Sequence, residues 1–198
     1  MRIIFLLIFA GVFSAPAFAH DHHQEMKASA PMEGLSVWQL DSVWKNQKGR
    51  EVRLSQLAGE SQLVVMLYTH CETACPLIVE DLKQVAQKLK ASQKVPVGVT
   101  IFSIDPQRDT PTALAAFAKK RKLPVDWQVL TSNDSAVAEL AAALGFRYKR
   151  LADGEYIHSN VIFLMDRDGV VVARKEGLKT PAEDFLKKAA QLLHSSKE

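Results

Sequence analysis

The stretch Tyr68–Pro76, with the sequence YTHCETACP, decides the fold of this 198-residue chain and contains its only two cysteines. An uninterrupted apolar run from Leu63 to Tyr68 leads into it and is typical of a buried strand. Pro76 suits the first turn of a helix, and apolar residues recur after it at helical spacing, at Ile78, Leu82, Val85 and Leu89. The sequence therefore predicts two sulfurs at a strand-to-helix turn, where the positive end of the helix dipole favours thiolates.

The N-terminus has the pattern of a secretory signal peptide. The chain starts with a positive charge at Met1-Arg2, continues with an apolar core over residues 3–13 and then has the small-residue site Ala17-Phe18-Ala19. This pattern predicts cleavage after residue 19. The alternative is an uncleaved inner-membrane anchor, although the apolar core is shorter than the roughly 20 residues that a membrane span needs. Residues 20–34 are polar and without hydrophobic period, which predicts a disordered tail containing histidine and methionine. We expect a periplasmic protein, in an oxidising compartment.

The net charge of the chain bears on which classes of partner it could bind. A formal net charge of +3 is too small to indicate nucleic acid or an anionic membrane surface. Residues 35–198 suffice for one domain with a full core, and no feature indicates strong self-association. We expect a monomeric protein of one domain.

Strands and helices alternate in the middle of the chain. Turn signals predict hairpins at residues 46–49, 153–154 and 168–169, and helices are predicted over residues 111–121, from residue 134 to Gly145, and from Pro181 onward. The predicted fold class is α/β: a thioredoxin-like sandwich over residues 35–198, with a central mixed β-sheet flanked by helices and an N-terminal β-hairpin.

The cysteine pair, Cys71 and Cys75, has three interpretations. A structural disulfide would close a very short loop and stabilise the fold by only about 2 kcal/mol. A redox dithiol would attack a partner's disulfide with one sulfur and resolve the mixed intermediate with the other. A soft metal, above all Cu(I), would take both sulfurs as ligands and would require a further ligand, for which an imidazole is the natural choice.

Six histidines are candidates for that ligand. His194 lies near the C-terminus, and His70 follows a strand residue, so its side chain is expected on the face opposite Cys71. His158 stands just before a predicted core strand, but a lone histidine is more often a polar surface or core residue than a ligand. The other three, His20, His22 and His23, belong to the tail.

The tail itself suggests a secondary Cu(II) site. After cleavage at residue 19 the mature chain begins His20-Asp21-His22, so an amine, two amides and the third-position imidazole could enclose Cu(II) in a square plane. His23, Met26 and Met32 would be auxiliary ligands nearby. The alternative is a solvated polar tail.

Four stretches, taken in order, resemble the Sco/SenC family: Tyr68–Pro76, Ser103–Pro111 (SIDPQRDTP), His158-Ser159 and Phe163–Gly169 (FLMDRDG). The resemblance covers roughly residues 35–193. It implies a thioredoxin-like fold that binds one copper ion and helps to assemble the dinuclear copper centre of cytochrome c oxidase.

By this resemblance the copper ligands are Cys71, Cys75 and His158. We expect a periplasmic metallochaperone that binds Cu(I) or Cu(II), requires a thiol reductant, and delivers copper to the copper-site subunit of a terminal oxidase or to another exported copper enzyme. The alternative is a thiol-disulfide reductase in which Cys71 attacks and Cys75 resolves, so enzymatic activity is left open. Copper buffering or redox sensing is a third class.

The loop Asp105–Pro111 follows a predicted strand and therefore lies at an end of the sheet. One interpretation is a turn that caps the next helix. The other is that Asp105 or Arg108 shapes the mouth of the copper site or the surface that a partner binds.

Overall fold

The computed structural model describes residues 25–72, 74–92 and 96–195. The predicted signal peptide and the tail residues His20, His22 and His23 lie outside this range, so the secondary Cu(II) site stays a prediction. The strands are β1 (Val43–Asn46), β2 (Glu51–Arg53), β3 (Ser61–Leu67), β4 (Val97–Ser103), β5 (Gln128–Thr131), β6 (Tyr148–Arg150), β7 (Tyr156–His158), β8 (Val161–Met165) and β9 (Val171–Glu176). The α-helices are α1 (Ala74–Ser92), α2 (Pro111–Lys120), α3 (Asp134–Leu144) and α4 (Glu183–Ser195).

Seven of these strands form one mixed sheet in the order β2-β1-β5-β4-β3-β8-β9, and β6 and β7 form a separate antiparallel pair. The strand β3 is parallel to β4 and antiparallel to β8, while β1 and β2 form the N-terminal hairpin. Helices α1 and α4 pack against each other, and α2 packs against β5 and β1. The predicted α/β class, with a thioredoxin-like mixed sheet flanked by helices, is confirmed.

The helix ends follow the capping signals in the sequence. The side chain of Thr110 accepts a hydrogen bond from the backbone of Ala113, with Pro111 in the first turn of α2. Helix α3 ends at Gly145, whose φ of +65° is the left-handed conformation that favours glycine. No helix in the described part of the chain is long and apolar enough to cross a membrane.

The sheet topology brings distant residues to one edge. Because β3 and β4 are parallel, the loops after Leu67 and Ser103 leave the sheet at the same end, and the N–H of Ile104 donates to the carbonyl of Leu67 at 2.8 Å. Because β8 is antiparallel to β3, the beginning of β8 lies at that edge too. The residues immediately before β8, including His158, therefore approach the loop that carries the cysteines.

Residues 25–34 differ from the expected disordered tail. Their backbone is hydrogen-bonded to the domain: the N–H of Met26 donates to the carbonyl of His158, and the N–H of Ser29 to that of Gly145. A Cβ atom at residue 145 would lie 2.5 Å from the carbonyl oxygen of Ser29, so this close approach requires glycine. The prediction failed here because the segment is held by backbone hydrogen bonds, which hydrophobic periodicity does not report.

Candidate metal centre

The two cysteines lie where the sequence predicted, at the turn from β3 into α1. Cys71 is 3% exposed and Cys75 is fully buried, and no disulfide joins them. The backbone N–H of Cys75, in the first turn of α1, donates to Sγ of Cys71 at 3.2 Å. The loop after β3 and the first turn of α1 therefore hold both sulfurs against the core.

His158 lies beside this pair. Its Nε2 atom is 3.7 Å from Sγ of Cys75, and its Nδ1 atom is 2.9 Å from the carbonyl oxygen of Ser159. Because a carbonyl oxygen only accepts, Nδ1 donates to it, and in the neutral imidazole Nε2 then presents its lone pair towards the sulfur. A second-shell carbonyl of this kind fixes the tautomer and orientation of metal-binding imidazoles.

Aromatic rings hold the imidazole from two sides. The ring of Phe146 stacks on it at 5.8 Å between centroids, and the ring of Tyr68 meets it edge-on at 6.0 Å. His158 is 5% exposed. The imidazole therefore has a fixed orientation in an apolar setting that limits access of water.

The pKa of Cys75 differs from the prediction that the helix N-terminus favours thiolates. Burial raises the pKa of the Cys75 thiol well above its ordinary value, and the neighbouring Cys71 and Asp109 raise it further. The backbone of Tyr68 acts in the opposite direction but does not offset the burial. Desolvation is the largest cause because this sulfur is fully inside the protein.

Asp109, which is fully buried, fixes the loop that leads to Cys71. Its carboxylate accepts hydrogen bonds from the backbone N–H of Thr69 at 3.0 Å and from the hydroxyl of Ser103 at 2.6 Å. The ring of His70 is half-exposed, with Nδ1 3.5 Å from the same carboxylate. The loop after β4 thus holds the loop after β3 by hydrogen bonds.

His70 is on the rim of the cavity that Cys71 and His158 line, not on the opposite face as predicted. The strand β3 ends at Leu67, and two residues later the chain has already turned. The alternation of side chains along a strand therefore no longer applies at residue 70.

Arg108 connects the loop Asp105–Pro111 to the hairpin of β6 and β7. Its guanidinium pairs with the buried carboxylate of Asp105, donates to the carbonyl of Gly154 at 2.6 Å, and lies 3.4 Å from the carboxylate of Glu155. It also lies over the ring of Tyr68. The loop caps α2 and holds the hairpin that carries His158, whereas a role of Asp105 or Arg108 at the mouth of a copper site or in partner binding stays a prediction.

We expect Arg108→Lys to lower the free energy of unfolding by about 1.5–3 kcal/mol, because lysine retains the charge but cannot form the planar fork. Urea denaturation measures this change. Arg150→Lys is the matched control, since Arg150 lies on the hairpin that Arg108 contacts and its guanidinium donates to the exposed side chain of Gln107 at 3.0 Å. Equal effects of the two substitutions would contradict the role given to Arg108.

A cavity of about 570 Å³ opens onto this centre. Cys71 and His158 line it, together with residues from the hairpin and from the N-terminal segment. No group of three or more His, Cys, Asp or Glu side chains in the described ranges is already spaced to hold a metal ion. A metal ion held by Cys71, Cys75 and His158 would therefore require a local adjustment of the donors.

Comparison with known proteins identifies the family. The family model SCO1/SenC matches residues 42–194. The chain belongs to the SCO1/SenC family. Its relatives include the SCO1 protein homolog of Bacillus subtilis (strain 168), which is 32% identical over 149 residues covering 73% of this chain and 77% of that protein. The mitochondrial SCO2 homolog of Homo sapiens is 28% identical over 156 residues, covering 74% of this chain but only 57% of the human protein.

Solved structures of Sco proteins share the fold of this SCO1/SenC chain. The structure of Bradyrhizobium japonicum ScoI with copper bound has a TM-score of 0.61 and 26% identity, over 78% of this chain and 96% of that one. The structure of BsSco, in which a disulfide switch was identified, has a TM-score of 0.66 and 28% identity, over 83% and 99% of the two chains. BsSco is a member of the Sco family of cytochrome c oxidase assembly proteins.

The structure brings together Cys71, Cys75 and His158, which sequence reasoning had singled out. It adds residues that the reasoning missed, notably Asp109 under the cysteine loop and Asn160 in the wall of the cavity. Asp109 could have been suspected, because parallel strands place the loops that follow them side by side. Asn160 could have been suspected too, because it stands two residues after His158, the spacing that places side chains on one face of an extended chain.

Proposed function

We propose that this protein is an exported copper metallochaperone that holds one copper ion between Cys71, Cys75 and His158. The observation that carries the proposal is the separation of 3.7 Å between Sγ of Cys75 and Nε2 of His158. In tetrahedral zinc sites, where sulfur binds at about 2.3 Å and nitrogen at about 2.0–2.1 Å, two such donors stand about 3.5 Å apart. The pair is thus close to the separation that one ion would impose.

The chemistry of the three donors favours copper among the soft metals. Two thiolates with one imidazole are ligands that suit Cu(I), and the relative from Bradyrhizobium japonicum has been solved with copper bound. The hydrogen bond from Nδ1 of His158 to the Ser159 carbonyl leaves Nε2 as the coordinating atom. Copper binding at Cys75 would displace the thiol proton to solvent, because only the thiolate is a ligand.

We expect the reduced protein to bind one Cu(I) ion per chain, and the protein whose cysteines have been oxidised to a disulfide to bind none. An anaerobic titration against a chromophoric Cu(I) chelator measures the stoichiometry and affinity of both forms. The oxidised protein is the control, since it has the same sequence and differs only at the two sulfurs. Equal binding by both forms would overturn the proposal.

The recipient and the compartment are part of the same proposal. The copper-site subunit of a terminal oxidase is the proposed recipient, because family members such as BsSco take part in cytochrome c oxidase assembly. The signal-like sequence of residues 1–19 supports export to the periplasm, with a reductant there that keeps the dithiol reduced.

The second candidate function is reduction of a partner's disulfide by the same cysteines. Cys71 lines the cavity, which supports it as the sulfur that would attack from this side. The raised pKa of Cys75 supports its assignment as the resolving thiol rather than the first nucleophile. The two functions use the same sulfurs but differ in their need for His158.

A further inference from the structure

Asn160 is a cavity-lining residue with no role so far. It lies on the connection between β7 and β8, two residues after His158, and is 5% exposed. Ser159, between the two, faces away: its hydroxyl accepts from the backbone N–H of Arg147 at 3.2 Å. Both His158 and Asn160 line the cavity onto which Cys71 opens, as the alternation of an extended chain requires.

The side-chain oxygen of Asn160 is buried and has no hydrogen-bond partner within the described residues. The backbone of Asn160 is firmly held, since its carbonyl accepts from the N–H of Gly177 at 2.8 Å. A buried amide oxygen without a donor destabilises a protein, and an apolar side chain of similar size would avoid that cost. A polar atom without a hydrogen-bond partner in the wall of this cavity therefore indicates that the atom binds a ligand.

We propose that Asn160 is a fourth donor of the copper centre, whose amide oxygen completes the coordination of Cu(II). This inference rests on the copper-binding function proposed above and adds a residue to that site. The two sulfurs are soft ligands that select Cu(I), whereas Cu(II) takes tetragonal sets that include nitrogen and oxygen. A neutral carbonyl-type oxygen therefore adds more to the binding of Cu(II) than to that of Cu(I).

The approach of this oxygen to the ion can use rotation of the side chain alone. The terminal torsion of asparagine is broad, so its amide turns at low cost while the backbone stays fixed by Gly177. The carboxylates on the cavity wall include those of Glu25, Glu72 and Asp153, which are exposed, and that of Glu155. The carboxylate of Glu155 already accepts from the Tyr68 hydroxyl and from Arg108. Recruiting an exposed carboxylate would require ordering a solvated side chain, and recruiting Glu155 would break its existing hydrogen bonds, whereas Asn160 is already buried in the cavity wall.

The test compares Asn160→Leu with the unmodified chain in both copper states. We expect the Cu(II) affinity to fall about tenfold, with a changed Cu(II) electron paramagnetic resonance spectrum, and the Cu(I) affinity to change by less than about twofold. A tenfold loss confined to Cu(II) raises the one-electron potential of the bound copper by about 59 mV. The copper-free variant should be at least as stable as the unmodified chain, because it no longer buries an unsatisfied oxygen.

Thr131→Val is the matched control for stability, since the buried hydroxyl of Thr131 on β5 also has no partner within the described residues. It should leave both copper affinities unchanged. Asn160→Ala serves as a second variant with the same expected copper result. An unchanged Cu(II) spectrum and affinity in both Asn160 variants, or an equal loss for Cu(I) and Cu(II), would overturn the inference. Failure of the unmodified reduced chain to bind Cu(I) would instead overturn the proposed function.

Discussion

We expect the His158→Ala variant to bind Cu(I) at least about 100-fold more weakly than the unmodified reduced protein. The substitution removes the nitrogen that lies 3.7 Å from Sγ of Cys75 and leaves two sulfurs without a third donor. The thiol-disulfide equilibrium of the cysteines should persist, because neither sulfur is altered. Competition with a Cu(I) chelator measures the affinity, and a glutathione redox titration measures the dithiol.

His70→Ala is the matched control for this prediction. His70 lines the same cavity and is adjacent to Cys71, but its ring is half-exposed and its Nδ1 atom is near Thr69 and Asp109. We expect its replacement to change the Cu(I) affinity by less than about threefold. If the His158 and His70 variants lose affinity equally, or if neither loses any, the three-ligand centre is wrong and the redox dithiol becomes the better account.

The largest effect on stability is expected from Asp81→Ala. Asp81, on α1, forms an ion pair of 3.1 Å with Lys175 on β9, and the two side chains are 12% and 4% exposed. Its carboxylate also accepts from the backbone N–H of Lys179 at 2.7 Å. Removing it leaves the Lys175 ammonium buried without its counter-ion, so we expect the free energy of unfolding to fall by about 3–5 kcal/mol. Urea denaturation measures this loss.

Glu80→Ala is the control one residue away on the same helix. Glu80 pairs with Lys83 at 2.9 Å, but its side chain is 59% exposed, and such surface pairs contribute about 0–1 kcal/mol. Combining Asp81→Leu with Lys175→Met should restore most of the stability, because no charge then remains buried. If the Glu80 and Asp81 single variants lose equal free energy of unfolding, burial does not explain the contribution of the Asp81–Lys175 pair to stability.

The Lys175–Asp81 pair also matters for the candidate site. It joins α1, the helix that begins beside the cysteines, to the end of β9. The carboxylate of Asp81 also accepts from the turn after β9, from which Leu178 lines the cavity. Sequence reasoning missed this pair because nothing in the local pattern distinguishes Lys175 or Asp81 from a surface charge. Only the packing of α1 beside the end of β9 buries them together.

Much of the architecture could be predicted from local patterns. The hairpin turns, the cap of α2 by Thr110 and the end of α3 at Gly145 depend on residues close to one another in sequence, and all are present. The packing of residues 25–34 could not be predicted in this way. It depends on hydrogen bonds from Met26 and Ser29 to partners more than a hundred residues away.

The sequence by itself determined that Cys71 and Cys75 stand at a strand-to-helix turn, because an apolar run, two cysteines and a proline in that order are local signals. It also pointed to His158 through the family resemblance. Only the tertiary structure decided that this imidazole lies beside Cys75, that burial raises the pKa of the Cys75 thiol, and that Asn160 faces the same cavity. The physical reason is that β8 lies antiparallel beside β3, and no short-range pattern encodes which strands of a sheet become neighbours.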